Sequence, residues 1–198
     1  MSDLTILIPA AGASSRMLGA DKLLTAVEDI PLLRRTALTA LSSQARVLMT
    51  LRPQDQARRD CLAGLMVEVL TVADAATGLS ASLRAGAAAM GRGGLLILPA
   101  DMPDITPQDL AQVMAAARQH PDSITRATAS DGTPGHPVVF PPDLLASFAE
   151  LQGDEGARSI LQAHKSRLRL VPLPGRHALT DLDTPEDWAA WRKTPGTA

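Results

Sequence analysis

Short apolar runs of strand length alternate with amphipathic helical patterns along this chain, and few architectures accept that alternation. Leu4 to Ile8, Ala45 to Leu51, Met66 to Val72 and Leu95 to Leu98 are near-continuous apolar stretches, the pattern of strands buried on both faces. Ile124 to Thr128, Pro137 to Phe140 and Leu168 to Leu173 read as further strands. Helices are predicted between them, at Leu32 to Leu41, Gln54 to Leu65, Ser80 to Met90, Pro107 to Gln119, Pro142 to Ala149, Ala157 to His164 and Pro185 to Trp191. This order predicts an α/β domain with a mostly parallel sheet covered by helices. At 198 residues the chain is long enough for one such domain with its own core. Two helix starts are marked strongly. Thr106-Pro107-Gln108-Asp109 and Thr184-Pro185-Glu186-Asp187 each put a hydroxyl at the N-cap, proline at N1 and a carboxylate at N3.

The first apolar run leads into IPAAGASSRMLGADKLL, where Ala10, Ala11, Gly12, Ala13, Ser14 and Ser15 carry nothing larger than a hydroxymethyl group. A backbone so lightly covered can approach another molecule closely, as loops around phosphates do. Arg16 and Lys22 add fixed positive charge beside it. The chain has neither a P-loop Gly-Lys-Ser/Thr nor a G-x-G-x-x-G at this point, so another phosphate chemistry is required.

Composition removes several function classes. With 19 Lys+Arg against 21 Asp+Glu, no Tyr, two Phe and two Trp, the chain offers neither a basic field nor a stacking platform for nucleic acid. A single cysteine, Cys61, excludes an internal disulfide, and the four scattered histidines do not make a zinc spacing. No basic stretch followed by a signal-type apolar run is present, nor any run near the ~20 apolar residues of a membrane span. A cytoplasmic protein with no membrane or nucleic-acid partner is expected.

The fourth strong strand ends in Pro99-Ala100-Asp101-Met102-Pro103, which places an acid at a strand end and stops the strand with proline. In a parallel sheet, Asp101 and the small-residue loop share one edge. A carboxylate beside a phosphate is repulsive unless a cation lies between them, so the pairing predicts Mg2+, which takes one or two carboxylates and fills its shell with phosphates and water. Asp181-Leu182-Asp183, just before a helix, is a second source of carboxylates.

Six segments, PAAGASSRMLGADKLL, GLSASL (78–83), LPADMP (98–103), GTPGHPVVFP (132–141), GDEGAR (153–158) and DLDTPEDW (181–188), together resemble the MobA-like nucleotidyltransferases, and among them the branch that cytidylylates the molybdenum cofactor. They occur in that family's order over nearly the whole chain. The resemblance implies a single-domain, Rossmann-like, glycosyltransferase-A-like fold over residues 1–193; because the alternation weakens after Thr128, a nucleotide-binding part at 1–128 and an acceptor-binding part at 129–193 are expected, with a flexible tail at 194–198. It implies transfer of CMP from CTP to the phosphate of a molybdopterin-type acceptor with release of pyrophosphate, and a client molybdoenzyme or its chaperone as a further partner. GTP, a different phosphorylated acceptor, or a non-catalytic cofactor-delivery module are the alternatives.

Carried over by position, Ala10 to Arg16 would hold the nucleotide, with Ala11 and Gly12 against base and ribose, and Arg16 and Lys22 on the triphosphate. Gly78, Ser80 and Ser82 would add neutral contacts at a helix start whose amides face the ligand. Asp101 would bind Mg2+, completed by Asp183 or Asp181. Gly135, His136 and Pro137, with Gly153, Asp154, Gly156 and Arg158, would shape the acceptor pocket. The family often reads Arg-Met-Gly where Leu18 here precedes Gly19, which changes the path from Arg16 to Lys22. The attacking phosphate is already ionised at neutral pH, so no general base is assigned.

Taken singly, each residue has a structural alternative. Arg16 and Lys22 could be surface charges, Asp101 a turn residue, Asp181 and Asp183 helix-start acids and His136 a space-filler. His120, His164 and His177 are expected at the surface. Trp188 and Trp191, three apart on one helical face, are expected in the core, and Cys61 as a small apolar residue.

Overall fold

In the computed structural model, which describes residues 4–13, 17 and 20–193, strands and helices alternate from end to end. The elements are β1 (Leu4–Pro9), a short hairpin of β2 (Ala26–Val27) and β3 (Ile30–Pro31), α1 (Leu32–Leu41), β4 (Arg46–Leu51), α2 (Gln56–Cys61), β5 (Glu68–Thr71), α3 (Leu79–Ala88), β6 (Gly94–Ile97), α4 (Pro107–Gln119), β7 (Ile124–Thr128), β8 (Pro134–Phe140), α5 (Arg158–Ala163), β9 (Leu168–Pro172) and α6 (Pro185–Trp191). The seven-stranded sheet has the order β5-β4-β1-β6-β8-β7-β9. All neighbours pair parallel except β8, which is antiparallel to both β6 and β7.

β1 shows why the sheet needs cover on both sides. Leu4, Ile6 and Ile8 point to one face and join Leu33, Ala37 and Ala40 of α1 and Leu110, Val113, Met114 and Ala117 of α4 in one cluster. The α4 residues recur at i, i+3, i+4 and i+7, a helix stripe turned to the sheet. Leu7 points the other way, toward Leu83 of α3, Phe148 of the 3-10 helix Pro142–Glu150 and Ile160 of α5. Gly86 lets α3 lie close to β1, since a β-carbon there would stand 2.3 Å from a Leu7 δ-methyl. Thr106 and Thr184 cap their helices as the sequence predicts, each in a reciprocal bond pair with the aspartate three residues on.

Several boundaries differ from the sequence reading. Residues 142–150 form a 3-10 helix, not an α-helix. Pro141 and Pro142 supply no amides at its start, and Leu144 N–H closes the first turn on Pro141 O. Met66 is 87% exposed, so β5 starts only at Glu68. The β2–β3 hairpin has no sequence signature because its turn residues, Glu28 and Asp29, take positive φ without Gly or Asn. Trp188 and Trp191 are buried edge to face with centroids 6.3 Å apart, packed with Leu32 and Leu182, while Cys61 is half-buried against the α1 side of the core. Among the described residues, no helix is long and apolar enough to cross a membrane. The Thr194–Ala198 tail lies outside the described residues.

Candidate active site

At the carboxyl ends of the central strands a cleft of about 1160 Å3 opens, and Ala10, Ala11, Gly12 and Ala13 form part of its wall. Ala10 N–H donates to Thr50 O at 3.1 Å, which ties the loop to the end of β4. The far side of the loop is held by Arg58 of α2, only 1% exposed. One guanidinium nitrogen donates to the carbonyls of both Ala10 and Gly12, at 2.5 and 2.9 Å. Its Nε and Nη2 grip the Asp21 carboxylate at 2.7 and 2.9 Å. Asp21 in turn accepts from Leu23 N–H and caps the 3-10 turn that carries Lys22. One buried cation therefore fixes both the loop and the lysine next to it.

Lys22 Nζ sits between two carboxylates from distant parts of the chain, 2.5 Å from Asp101 Oδ2 and 2.5 Å from Asp183 Oδ1. Burial alone would lower the lysine's pKa, but the charges of Asp101 and Asp183 and their hydrogen bonds outweigh it and hold it above the ordinary value. Asp183 reaches this point through backbone contacts. Leu182 N–H donates to Asp101 O at 3.1 Å, and the Asp187 carboxylate that caps α6 also accepts from Asp183 N–H. Asp181 is exposed and does not line the cleft. Partial desolvation, and then the charges of Asp101 and Asp183, nevertheless push its carboxyl above the usual range. Asp101 and Asp183 against Lys22 leave a local charge of −1 when all three are ionised, with carboxylate oxygens of the hard type that divalent cations take. Among the described residues no group of three or more His, Cys, Asp and Glu is placed to hold a metal ion.

On the opposite wall the start of α3 meets the loop at 153–156. Gly78 has φ +111°, and a β-carbon on it would lie 2.4 Å from the Gly153 carbonyl. Leu79 N–H donates to Asp154 Oδ1 and Ser80 N–H to Gly153 O, both at 3.0 Å. The expectation that these α3 amides face a ligand is therefore corrected: protein acceptors already occupy them. Ser80 is fully buried, accepts from Arg84 and does not reach the cleft, whereas Gly78 and Ser82 line it. His136, Asp154, Gly156 and Arg158 line the cleft, whereas Gly135, Pro137 and Gly153 do not. Ser14, Ser15 and Arg16 lie outside the described residues.

Two groups escaped the sequence reading: Arg58, behind the loop, and Arg126, on the cleft wall. Arg58 sits beside Arg59 in a polar helix, and nothing in that stretch distinguishes the buried arginine from its half-buried neighbour. Arg126 did carry a signal, since a charge in the middle of a strand flanked by buried Thr125 and Ala127 is unusual unless it faces a site.

A family model described as the MobA-like NTP transferase domain matches residues 6–168. The chain belongs to that family. Its fold also matches solved structures of low identity. Rv0371c from Mycobacterium tuberculosis H37Rv is 24% identical with a TM-score of 0.84, the alignment covering 98% of this chain and 99% of that one. A second structure of that protein, in complex with manganese, scores 0.79 at 24% identity over 96% and 97% of the chains. A nucleotidyl transferase from Methanothermobacter thermautotroptrophicus, Mth528, is 21% identical with a TM-score of 0.78, covering 95% of each chain. A CMP:2-keto-3-deoxy-manno-octonic acid synthetase complexed with CTP scores 0.76 at 14% identity, covering 96% and 97%. No curated protein matches the chain. These relatives share the mostly parallel α/β architecture that carries the cleft.

Proposed function

We propose that this MobA-like domain is a divalent-metal-dependent cytidylyltransferase that moves CMP from CTP to a phosphorylated acceptor of the molybdopterin type. The observation that carries the reading is the Asp101–Lys22–Asp183 arrangement at the end of a small-residue loop held by Arg58. Asp101 and Asp183 would hold Mg2+ or Mn2+, which when bound supplies positive charge to the phosphates. The complex of Rv0371c with manganese and that of the octonic acid synthetase with CTP support the choice of metal class and nucleotide.

In this reading Ala10 to Ala13 present backbone to the nucleotide, and the Ala11 side chain narrows the base site against a purine. Lys22 neutralises phosphate charge, a task also assigned to Arg16. The acceptor approaches from the 129–193 part, past His136 and Arg158. One of its phosphate oxygens attacks the α-phosphorus; the new P–O bond forms as the bond to the bridging α,β-oxygen breaks, and pyrophosphate takes the electron pair. The attacking oxygen carries no proton at neutral pH, so orientation and charge neutralisation provide the catalysis.

Pyrophosphate release from each of the four nucleoside triphosphates, with and without molybdopterin across a series of Mg2+ and Mn2+ concentrations, tests this. CTP should exceed GTP, and Asp101→Asn and Asp183→Asn should each lose roughly 10²- to 10³-fold in rate with melting temperatures retained. GTP preference would move the protein to guanylyl transfer. Nucleotide binding without pyrophosphate release would leave a delivery module, and normal metal dependence in Asp183→Asn would return that residue to helix capping.

A further inference from the structure

Arg126 stands on β7 with its side chain on the wall of the same cleft as Lys22, Asp101 and Asp183. Its Nε donates to Gly135 O at 3.0 Å and its Nη2 to Pro134 O at 3.4 Å. Among the described residues no carboxylate pairs with it; Arg46, Arg52, Arg58, Arg84 and Arg167 each have one. Burial pulls its pKa down with no negative group to offset it. A half-buried guanidinium held only by carbonyls is a cost unless an anion completes the site.

A second polar group nearby lacks a partner as well. The His136 ring lines the cleft, and its Nδ1 is buried without a hydrogen bond. The ring feels the charges of both Arg126 and Asp101. His136 therefore lies within electrostatic reach of the acids that attract a cation and of the arginine that lacks an anion. The cleft is polarised, with a cation-seeking end at Asp101 and Asp183 and an anion-seeking wall at Arg126.

We propose that Arg126 is the specificity residue for the acceptor, binding its phosphate through the guanidinium edge not used by Gly135 and Pro134, with His136 beside it as a neutral polar contact. This rests on the nucleotidyl-transfer reading above. The guanidinium fork suits a tetrahedral oxyanion, and carbonyl bonds at Nε and Nη2 fix its orientation before the acceptor arrives. Arg126 thereby selects acceptors that carry a phosphate over neutral alcohols.

The test is calorimetric titration of inorganic phosphate into the full chain already saturated with CTP and Mg2+, so that the triphosphate site is filled. Wild type should bind phosphate, Arg126→Gln should bind it about tenfold or more weakly, and Arg126→Lys should fall between them, while CTP affinity stays within about twofold in all three. Equal phosphate affinity in wild type and Arg126→Gln overturns the proposal, as does a wild-type CTP complex that binds no phosphate. A parallel loss of CTP affinity in Arg126→Gln also overturns it, by assigning the arginine to the nucleotide. A wild type that binds no CTP instead removes the reading beneath it. Thermal melts accompany each titration, and Arg126→Lys carries the comparison if Arg126→Gln does not fold.

Discussion

Replacing Arg58 with alanine is expected to damage stability and nucleotide binding together, because one buried cation ties the Ala10–Gly12 loop to the turn that carries Lys22. The guanidinium is 1% exposed and holds the 27%-exposed Asp21 carboxylate, with the 5%-exposed Asp55 carboxylate at 3.8 Å. Removing one partner of a buried ion pair costs about 3 to 5 kcal/mol, since the other charge is left behind. Two features moderate the loss here. Asp21 is partly solvated, and Asp55 keeps Arg52 at 2.6 Å. The freed carbonyls of Ala10 and Gly12 act in the other direction. A loss of about 3 kcal/mol results, or roughly 6 to 12 °C in melting temperature for a chain of this size. Arg58→Lys keeps the charge but not the multidentate grip, and should lose about half as much. Urea unfolding of wild type, Arg58→Ala, Asp21→Asn and the double variant measures the coupling, and CTP titration of each folded variant reads the loop. The double variant should lose less than the sum of the singles. An Arg58→Ala protein within 1 kcal/mol of wild type, binding CTP normally, would refute the argument that this arginine organises the site.

Two further outcomes follow from the same geometry. Burial, followed by the charge of Arg126, lowers the His136 pKa from 6.5 to about 4, so the unfolded chain binds the extra proton first as pH falls. Its contribution to stability is present above pH 6.5 and is lost between 6.5 and about 4, amounting to about 3 kcal/mol; His136→Gln should flatten the urea-midpoint profile in that window relative to wild type, and parallel profiles would contradict the assignment. Gly78→Ala would put a β-carbon 2.4 Å from the Gly153 carbonyl at φ +111°, so it should cost about 2 kcal/mol or more and speed hydrogen exchange at the Leu79 and Ser80 amides; unchanged melts and exchange would show that the 153–154 loop yields freely.

What the sequence determined by itself is local or nearly so. Continuous apolar runs specified β1, β4 and β6 because a strand buried on both faces has no room for alternation, and Thr106 and Thr184 specified helix starts because their caps lie within four residues. The small-residue loop, Lys22, Asp101 and the acids at 181–183 could be named as candidates because each lies in a loop at an element boundary, and in a mostly parallel sheet the loops at the carboxyl ends of the strands share one edge. Only the tertiary structure decided between Asp181 and Asp183 as the acid beside Asp101, through Leu182 N–H on Asp101 O, a contact between residues 81 positions apart. It alone buried Arg58 rather than Arg59 and directed Ser80 into the core. Among the described residues it also left Arg126 facing the cleft without a carboxylate partner. Partners for buried charges come from distant segments, and chain closure, not residue type, chooses which of several similar side chains meets them.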